Sequence, residues 1–294
     1  MKIVVCVKQV IDVTFPFELD FDTCLPHKDD VFHMINPADM SAAATAIKLH
    51  EQFGGEIIYV AFGPPRVRKV LRDCIALGGG KAVHLWDDRF SFDDYPVEYI
   101  LSRAMEILKP DLVICGSRSL DEGCAEVPPS LAAFLDLPQI TGLTVVNISP
   151  DGKTLNGQRK LEKGRRMSLE CDLPAVISVE PEIVEPPSAS LTGLIDSAGA
   201  EIIGMNFDDL KVDISILRNL ISKRDQVRLS LPRPRPKKTF HFDDNLSAED
   251  RMELLMSGVS QSVKSDILEA PPEELAEKIT QIIEKEVFNK LIKN

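Results

Sequence analysis

Between Lys2 and Gln139, short apolar runs rich in β-branched residues alternate with helical stretches. Lys2–Val7, a short β-branched run, Glu56–Phe62, Lys81–Trp86 and Leu112–Cys115 each read as a strand, the last of them buried. Helices are predicted over Met40–Phe53, Arg66–Leu77 and Val97–Leu108, the first two closed by Gly54-Gly55 and Gly78-Gly79-Gly80. Strand and helix in alternation, joined by short loops, imply right-handed βαβ crossovers. The fold class is therefore α/β: an open, mostly parallel, doubly wound sheet. The strand at Leu112 ends at Gly116 and feeds a polar loop, Ser117 to Gly123, before a helix that runs to about Leu135. Such a place can hold phosphate, because a helix start presents unpaired N–H groups and the positive end of its dipole. An ordinary connecting turn has the same outward form.

The other segments are read in the same way. Val10–Phe32, interrupted by Pro16 and Pro26, is expected to be irregular. Asn36 or Asp39 is read most simply as the N-cap of the first helix. Thr141–Ile148 and Leu155–Leu161 flank Pro150-Asp151-Gly152 and form a β-hairpin, which Ser168–Cys171 extends; Pro174–Val179 is a further strand. Glu180–Ser190 is extended. Leu191–Ala200 reads as a small-residue loop whose isolated apolar residues either dock a partner or cover the domain's own core. Residues 1–230 form the α/β domain. Residues 231–294 form a basic, Pro-rich linker (Leu231–Lys238) with helices from Ser247 and over Pro271–Ile292, expected to pack on a partner subunit.

The formal net charge is −12 at pH 7 and no basic face is evident, so a nucleic-acid partner is not expected. No apolar run is long enough to span a bilayer, and MKIVVCVKQV reads as a first strand rather than a signal peptide. A cytoplasmic protein without membrane insertion is expected. The six cysteines are scattered, with no C-x-x-C pair, which points to reduced structural thiols and no metal site. His50 and His84 stand alone, and no nucleophile–base or carboxylate pair has a telling spacing, so no catalytic residue is assigned.

In order along the chain, VVCVKQVID, Asn36-Pro37, Ala61-Phe62-Gly63-Pro64-Pro65, Gly116 to Pro138, Leu173-Pro174-Ala175-Val176 and the loop from Leu191 resemble the beta (small) subunit of electron transfer flavoproteins. The resemblance covers roughly the first 210 residues. It implies an adenine-nucleotide-binding, Rossmann-like fold paired with an alpha subunit that carries FAD. This subunit would hold AMP, or a second FAD in bifurcating members that also exchange electrons with NAD(H). It would be an electron carrier rather than an enzyme. Electrons would come from an acyl-CoA dehydrogenase-type flavoenzyme, with a membrane quinone oxidoreductase among the acceptors.

Carried over residue by residue, the nucleotide contacts fall on Cys6, on Asn36, Pro37, Ala38 and Asp39, and on Phe62. They continue through Gly116, Ser117, Arg118, Ser119, Leu120, Asp121, Glu122, Gly123, Cys124, Ala125, Glu126 and Val127. Backbone N–H groups from Gly123 to Val127 would meet the phosphate, and Asp121 and Glu122 the ribose or amide groups. Partner docking falls on Leu191, Leu194 and Ile195. Some positions depart from the family pattern. Glu126 stands where many members have Gln, and Pro128 removes an N–H donor. The Asp-Thr pair of bifurcating members is absent near Tyr95-Pro96, which favours AMP, and no lysine-rich run follows Leu191. A non-redox adenine-nucleotide-binding regulatory protein fits the same sheet. An ATP-cleaving ligase fits poorly, because Lys8-Gln9-Val10-Ile11-Asp12 contains no glycine.

Overall fold

Backbone N–H and C=O groups of a buried apolar run must find partners, and neighbouring strands supply them. The computed structural model describes residues 1–26, 31–89, 96–221, 247, 249, 252 and 271–283. The strands in chain order are β1 (Lys2–Cys6), β2 (Gln9–Ile11), β3 (His33–Ile35), β4 (Glu56–Phe62), β5 (Lys81–Leu85), β6 (Leu112–Gly116), β7 (Gln139–Ile148), β8 (Thr154–Lys160), β9 (Arg166–Asp172), β10 (Ala175–Val179) and β11 (Ile202–Met205). The helices are α1 (Pro37–Phe53), α2 (Arg68–Gly78), α3 (Val97–Leu108), α4 (Val127–Leu135), α5 (Leu191–Gly199), α6 (Ile214–Ile221) and α7 (Pro272–Ile283). The chain divides into two units, Met1–Leu231 and Pro232–Asn294. The sheet belongs to the first; of the second, α7 is the main described element. The basic linker, most of the helix expected from Ser247 and the last helix beyond 283 lie outside the described residues.

One nine-stranded sheet runs β11-β5-β4-β1-β6-β10-β7-β8-β9. It is parallel from β11 to β7 and antiparallel over β7, β8 and β9. The alternation of each strand divides the core between the two faces of the sheet. Ile3, Val5, Ile57, Tyr59, Leu112 and Ile114 join α1 and α2 on one face. Val4, Cys6, Ile58, Val60, Val113 and Cys115 join α3, α4 and α6 on the other. From β1 the chain winds outward to β4 and β5 and then returns to place β6 on the opposite side of β1. The strand order therefore reverses between β1 and β6. A crevice outside the carboxyl ends of the strands at such a reversal is where open α/β sheets bind ligands.

Several local expectations are corrected. The stretch Val10–Phe32 is not wholly irregular: β2 enters it and pairs antiparallel with β3, matching Gln9 with Ile35 and Ile11 with His33. Leu191–Gly199 is a helix rather than a loop, started by Ser190, whose hydroxyl accepts the Gly193 N–H. Its small residues belong to the side that meets α2, where a side chain on Gly193 would come 2.4 Å from the Ala76 carbonyl oxygen. Strand β11 and helix α6 were not anticipated. Only Ile202 of β11 is fully buried, because the strand pairs on one side with β5 and forms an edge of the sheet.

Candidate functional site

The crevice at the ends of β1 and β6 is built from α1's first turn and the loop after β6. Asn36 precedes α1 in the N-cap position, but its side chain makes no cap hydrogen bond. Instead Asn36 Nδ2 donates to the Arg118 carbonyl at 3.0 Å, and the Leu120 N–H donates to Asn36 Oδ1 at 3.0 Å. A helix start thus holds a loop more than eighty residues away in sequence. Asp39 acts in the same way. Its Oδ2 accepts the Lys8 N–H at 2.7 Å and its Oδ1 accepts the Gly116 N–H at 3.0 Å. The capping reading of both side chains is overturned: Asn36 holds the loop after β6, and Asp39 the ends of β1 and β6.

Asp39 is 6 % exposed. Burial raises its carboxyl to about 6, against the opposing effect of the Lys8 N–H, the Asn36 side chain and the Gly116 N–H. Gly116 has to be glycine in this geometry, since a Cβ there would lie 2.3 Å from Asp39 Oδ1 and 2.7 Å from the Ala38 Cβ. Pro37 presets the first turn of α1, whose alanines Ala38, Ala42, Ala43 and Ala46 are buried and let the helix lie close to the sheet.

Lys8, which sequence reasoning did not place in the site, occupies its centre. Its Nζ reaches Asp121 Oδ1 at 2.9 Å and Glu122 Oε2 at 3.2 Å. Burial opposes the Lys8 charge, but the hydrogen bonds and charges of Asp121 and Glu122 outweigh it and hold the ammonium above its ordinary pKa. Burial likewise pushes Asp121 up, and the Ser119 hydroxyl, Lys8 and the Glu122 N–H overcome it, leaving its carboxyl below the usual range. The two acidic loop residues therefore face a cation at the end of β1. The available signal was position: Lys8 follows the first strand directly, at the sheet edge where the loop returns.

The loop is pinned along its length. The Ser117 N–H donates to the Val179 carbonyl at 2.9 Å and its hydroxyl to Glu180 Oε2 at 3.1 Å, tying the loop to the end of β10. Gly123, at φ +66°, donates its N–H to Ser119 Oγ at 3.2 Å. Arg118 and the run from Leu120 to Glu126 are exposed. Helix α4 starts late and supplies few donors. Pro128 and Pro129 have no N–H, and the Ser130 N–H bonds the Glu126 carbonyl at 3.1 Å. Among the described residues, the N–H groups of Cys124, Ala125, Glu126 and Val127 have no acceptor. Ala125 has φ +57° and Glu126 is in the right-handed helical region, a change of hand that turns successive N–H groups toward a common point. The amides this site offers an anion are thus those of the loop together with Val127, the first residue of α4.

Cys6 and Phe62 stand apart from this cluster. Cys6 is 7 % exposed and contacts the Cys115 thiol within the core on the α3 and α4 face. Phe62 ends β4 and packs its ring 5.9 Å from that of Trp86. A cleft of about 710 Å³ opens against the loop itself, lined by Ser117 and Ala125 together with Gln139, Arg159, Glu170 and Glu180 among others. Tyr95 lies outside the described residues. Leu191, Leu194 and Ile195 are 75 %, 50 % and 65 % exposed on α5. No described helix is long and apolar enough to cross a membrane.

A family model described as the electron transfer flavoprotein domain matches residues 28–209. The chain is similar to the electron transfer flavoprotein subunit beta of Thermoanaerobacterium thermosaccharolyticum, 33% identical over 215 residues that span 72% of this chain and 81% of that protein. It is 30% identical over 216 residues to the acryloyl-CoA reductase electron transfer subunit gamma of Anaerotignum propionicum, covering 72% of this chain and 79% of the relative. The electron transfer flavoprotein subunit beta of Homo sapiens is 28% identical over 229 residues, covering 76% and 89% respectively.

Proposed function

The chain belongs to the electron transfer flavoprotein family as a beta-type subunit, and from that premise we propose that it holds AMP in the crevice at the ends of β1 and β6. The observation that carries this reading is the convergence of Asn36, Asp39 and Lys8 on the loop after Gly116. The amides of Cys124 to Val127 receive the phosphate. Lys8 offsets Asp121 and Glu122, so the loop approaches an anion without bare negative charge beside it. Asp39 spans the two strand ends and fixes the floor of the crevice.

In this reading the subunit is a carrier, acts in the cytoplasm, and pairs with an alpha subunit. FAD held mainly by that subunit supplies the electron-transfer chemistry when bound. Electrons arrive from an acyl-CoA dehydrogenase-type flavoenzyme, which docks on Leu191, Leu194 and Ile195, and leave toward an acceptor such as a membrane quinone oxidoreductase. A relative named for an acryloyl-CoA reductase supports a partner that works on CoA thioesters. Residues 232–294 pack on the alpha subunit. The test is to mix the purified two-subunit complex, without oxygen, with a trace of acyl-CoA dehydrogenase and its thioester. The flavin absorption of the complex should bleach; a spectrum that stays oxidised would sink this reading.

A further inference from the structure

Helix α5 is seated unlike the other helices of the sheet domain. Its apolar residues Leu191, Leu194 and Ile195 point outward, and Ser197 is its buried residue. Burial of an apolar stripe, the usual reason a surface helix stays in place, is therefore missing here. What seats it is polar and close-range. Gly193 brings the helix backbone against the Ala76 carbonyl of α2, where any Cβ would lie 2.4 Å from the oxygen. At the other end, Arg72 of α2 points Nη1 at three carbonyl oxygens: Ser197 at 2.7 Å, Ala198 at 2.9 Å and Ala200 at 3.1 Å. They lie at the C-terminal end of the helix, the negative end of its dipole, and the Ser197 oxygen also accepts the Ala200 N–H at 3.3 Å. A guanidinium is suited to them because it keeps its positive charge beside the negative end of the helix, with Nη1 supplying all three contacts.

We propose that Arg72 is a positioning residue for electron transfer, holding α5 so that Leu191, Leu194 and Ile195 are presented as one surface to the partner flavoenzyme. The inference rests on the reading of α5 as the docking surface. Among the described residues, the hydrogen bonds of Arg72 go to the far end of the helix, Ser197 to Ala200, and not to Leu191, Leu194 or Ile195. Its effect passes through the C-terminal turn of the helix, and it should change how well the partner is recognised rather than how fast flavin reacts once the partner is bound.

The test uses the full two-subunit complex, with a purified acyl-CoA dehydrogenase as the varied substrate. Arg72→Gln should raise the KM for the dehydrogenase about tenfold, the scale of one charge-assisted contact. The kcat should stay within about twofold, well inside that scale, and the flavin spectrum and content should be unchanged. Arg72→Lys, which keeps the charge, should recover most of the lost affinity. Leu191→Ala, assayed alongside, separates the two levels of the argument. If Leu191→Ala raises KM and Arg72→Gln does not, Arg72 is not the positioning residue although the docking reading stands. If Leu191→Ala leaves KM at the wild-type value, the docking surface is wrong and the role of Arg72 falls with it. A parallel loss of kcat and bound flavin in both Arg72 variants would make the residue merely structural and would overturn the inference as well.

Discussion

Asp39 Oδ1 accepts the N–H of Gly116 at 3.0 Å, across a contact where a single added methyl group would come within 2.3 Å of that oxygen. The carboxylate leaves the first turn of α1, crosses the reversal in strand order and closes on β6, while its second oxygen holds Lys8 beyond the end of β1. Helix, both central strands and the loop after β6 are thus held by one side chain at the candidate site.

Gly116→Ala is predicted to push α1 away from β6. Overpacking of this kind costs about 1–3 kcal/mol. Denaturant unfolding of the complex should show that loss together with reduced nucleotide content. Wild-type stability and content would mean that α1 can shift without consequence.

The pH dependence of stability should carry the mark of Asp39. Its folded pKa is raised from 3.8 to about 6, so the folded state binds this proton more tightly than the unfolded chain does. Its contribution is favourable below the unfolded value, declines as pH rises toward 6, and settles at a cost of about 3 kcal/mol above it. Asp39→Asn removes this slope, though its amide leaves one of the two N–H groups without an acceptor. Unfolding free energies between pH 4 and 7 should therefore shift in favour of the variant as pH rises; a constant difference contradicts the assignment.

Much of this architecture was legible in the chain. Strand Glu56–Phe62 and helix Val97–Leu108 were read at their observed bounds, because a continuous apolar run and a helical period both report burial. Helix α5 was not legible, since its apolar residues face solvent and its footing is a glycine and a distant arginine. Asn36 and Asp39 were noticed, as caps from the residues themselves and as nucleotide contacts through the family resemblance, but not as clips between elements. A cap and a cross-strand clip use the same residue types, and only the fold decides which way the oxygens point. Lys8 was passed over because its partners lie 113 and 114 residues away.

Gly123→Val should weaken nucleotide retention. The position has φ +66° and a Cβ there would meet the Ser119 carbonyl oxygen only at 3.7 Å, so the effect is backbone strain rather than collision, about 1–2 kcal/mol for a side chain in the left-handed region. The variant should purify with less nucleotide than wild type and unfold a few degrees lower, as about 1–2 kcal/mol of strain implies. Unchanged content would remove this turn from the site.

Lys8→Gln separates binding from stability. The ion pairs are partly exposed, with side-chain exposures of 38% for Lys8 and 41% for Asp121, so less than about 1 kcal/mol of stability should be lost. Nucleotide affinity should fall by more than that, because two carboxylates would then face the phosphate unopposed. Titration of nucleotide into the stripped complex measures it. A fall in stability with unchanged affinity would show that Lys8 serves the fold alone.

The central claim is that this subunit carries AMP while its partner carries the flavin. Denaturing the purified two-subunit complex and quantifying the released nucleotides tests it directly. The account predicts one FAD and one AMP per heterodimer. Two FAD and no AMP, or no nucleotide beyond a single FAD, would contradict it.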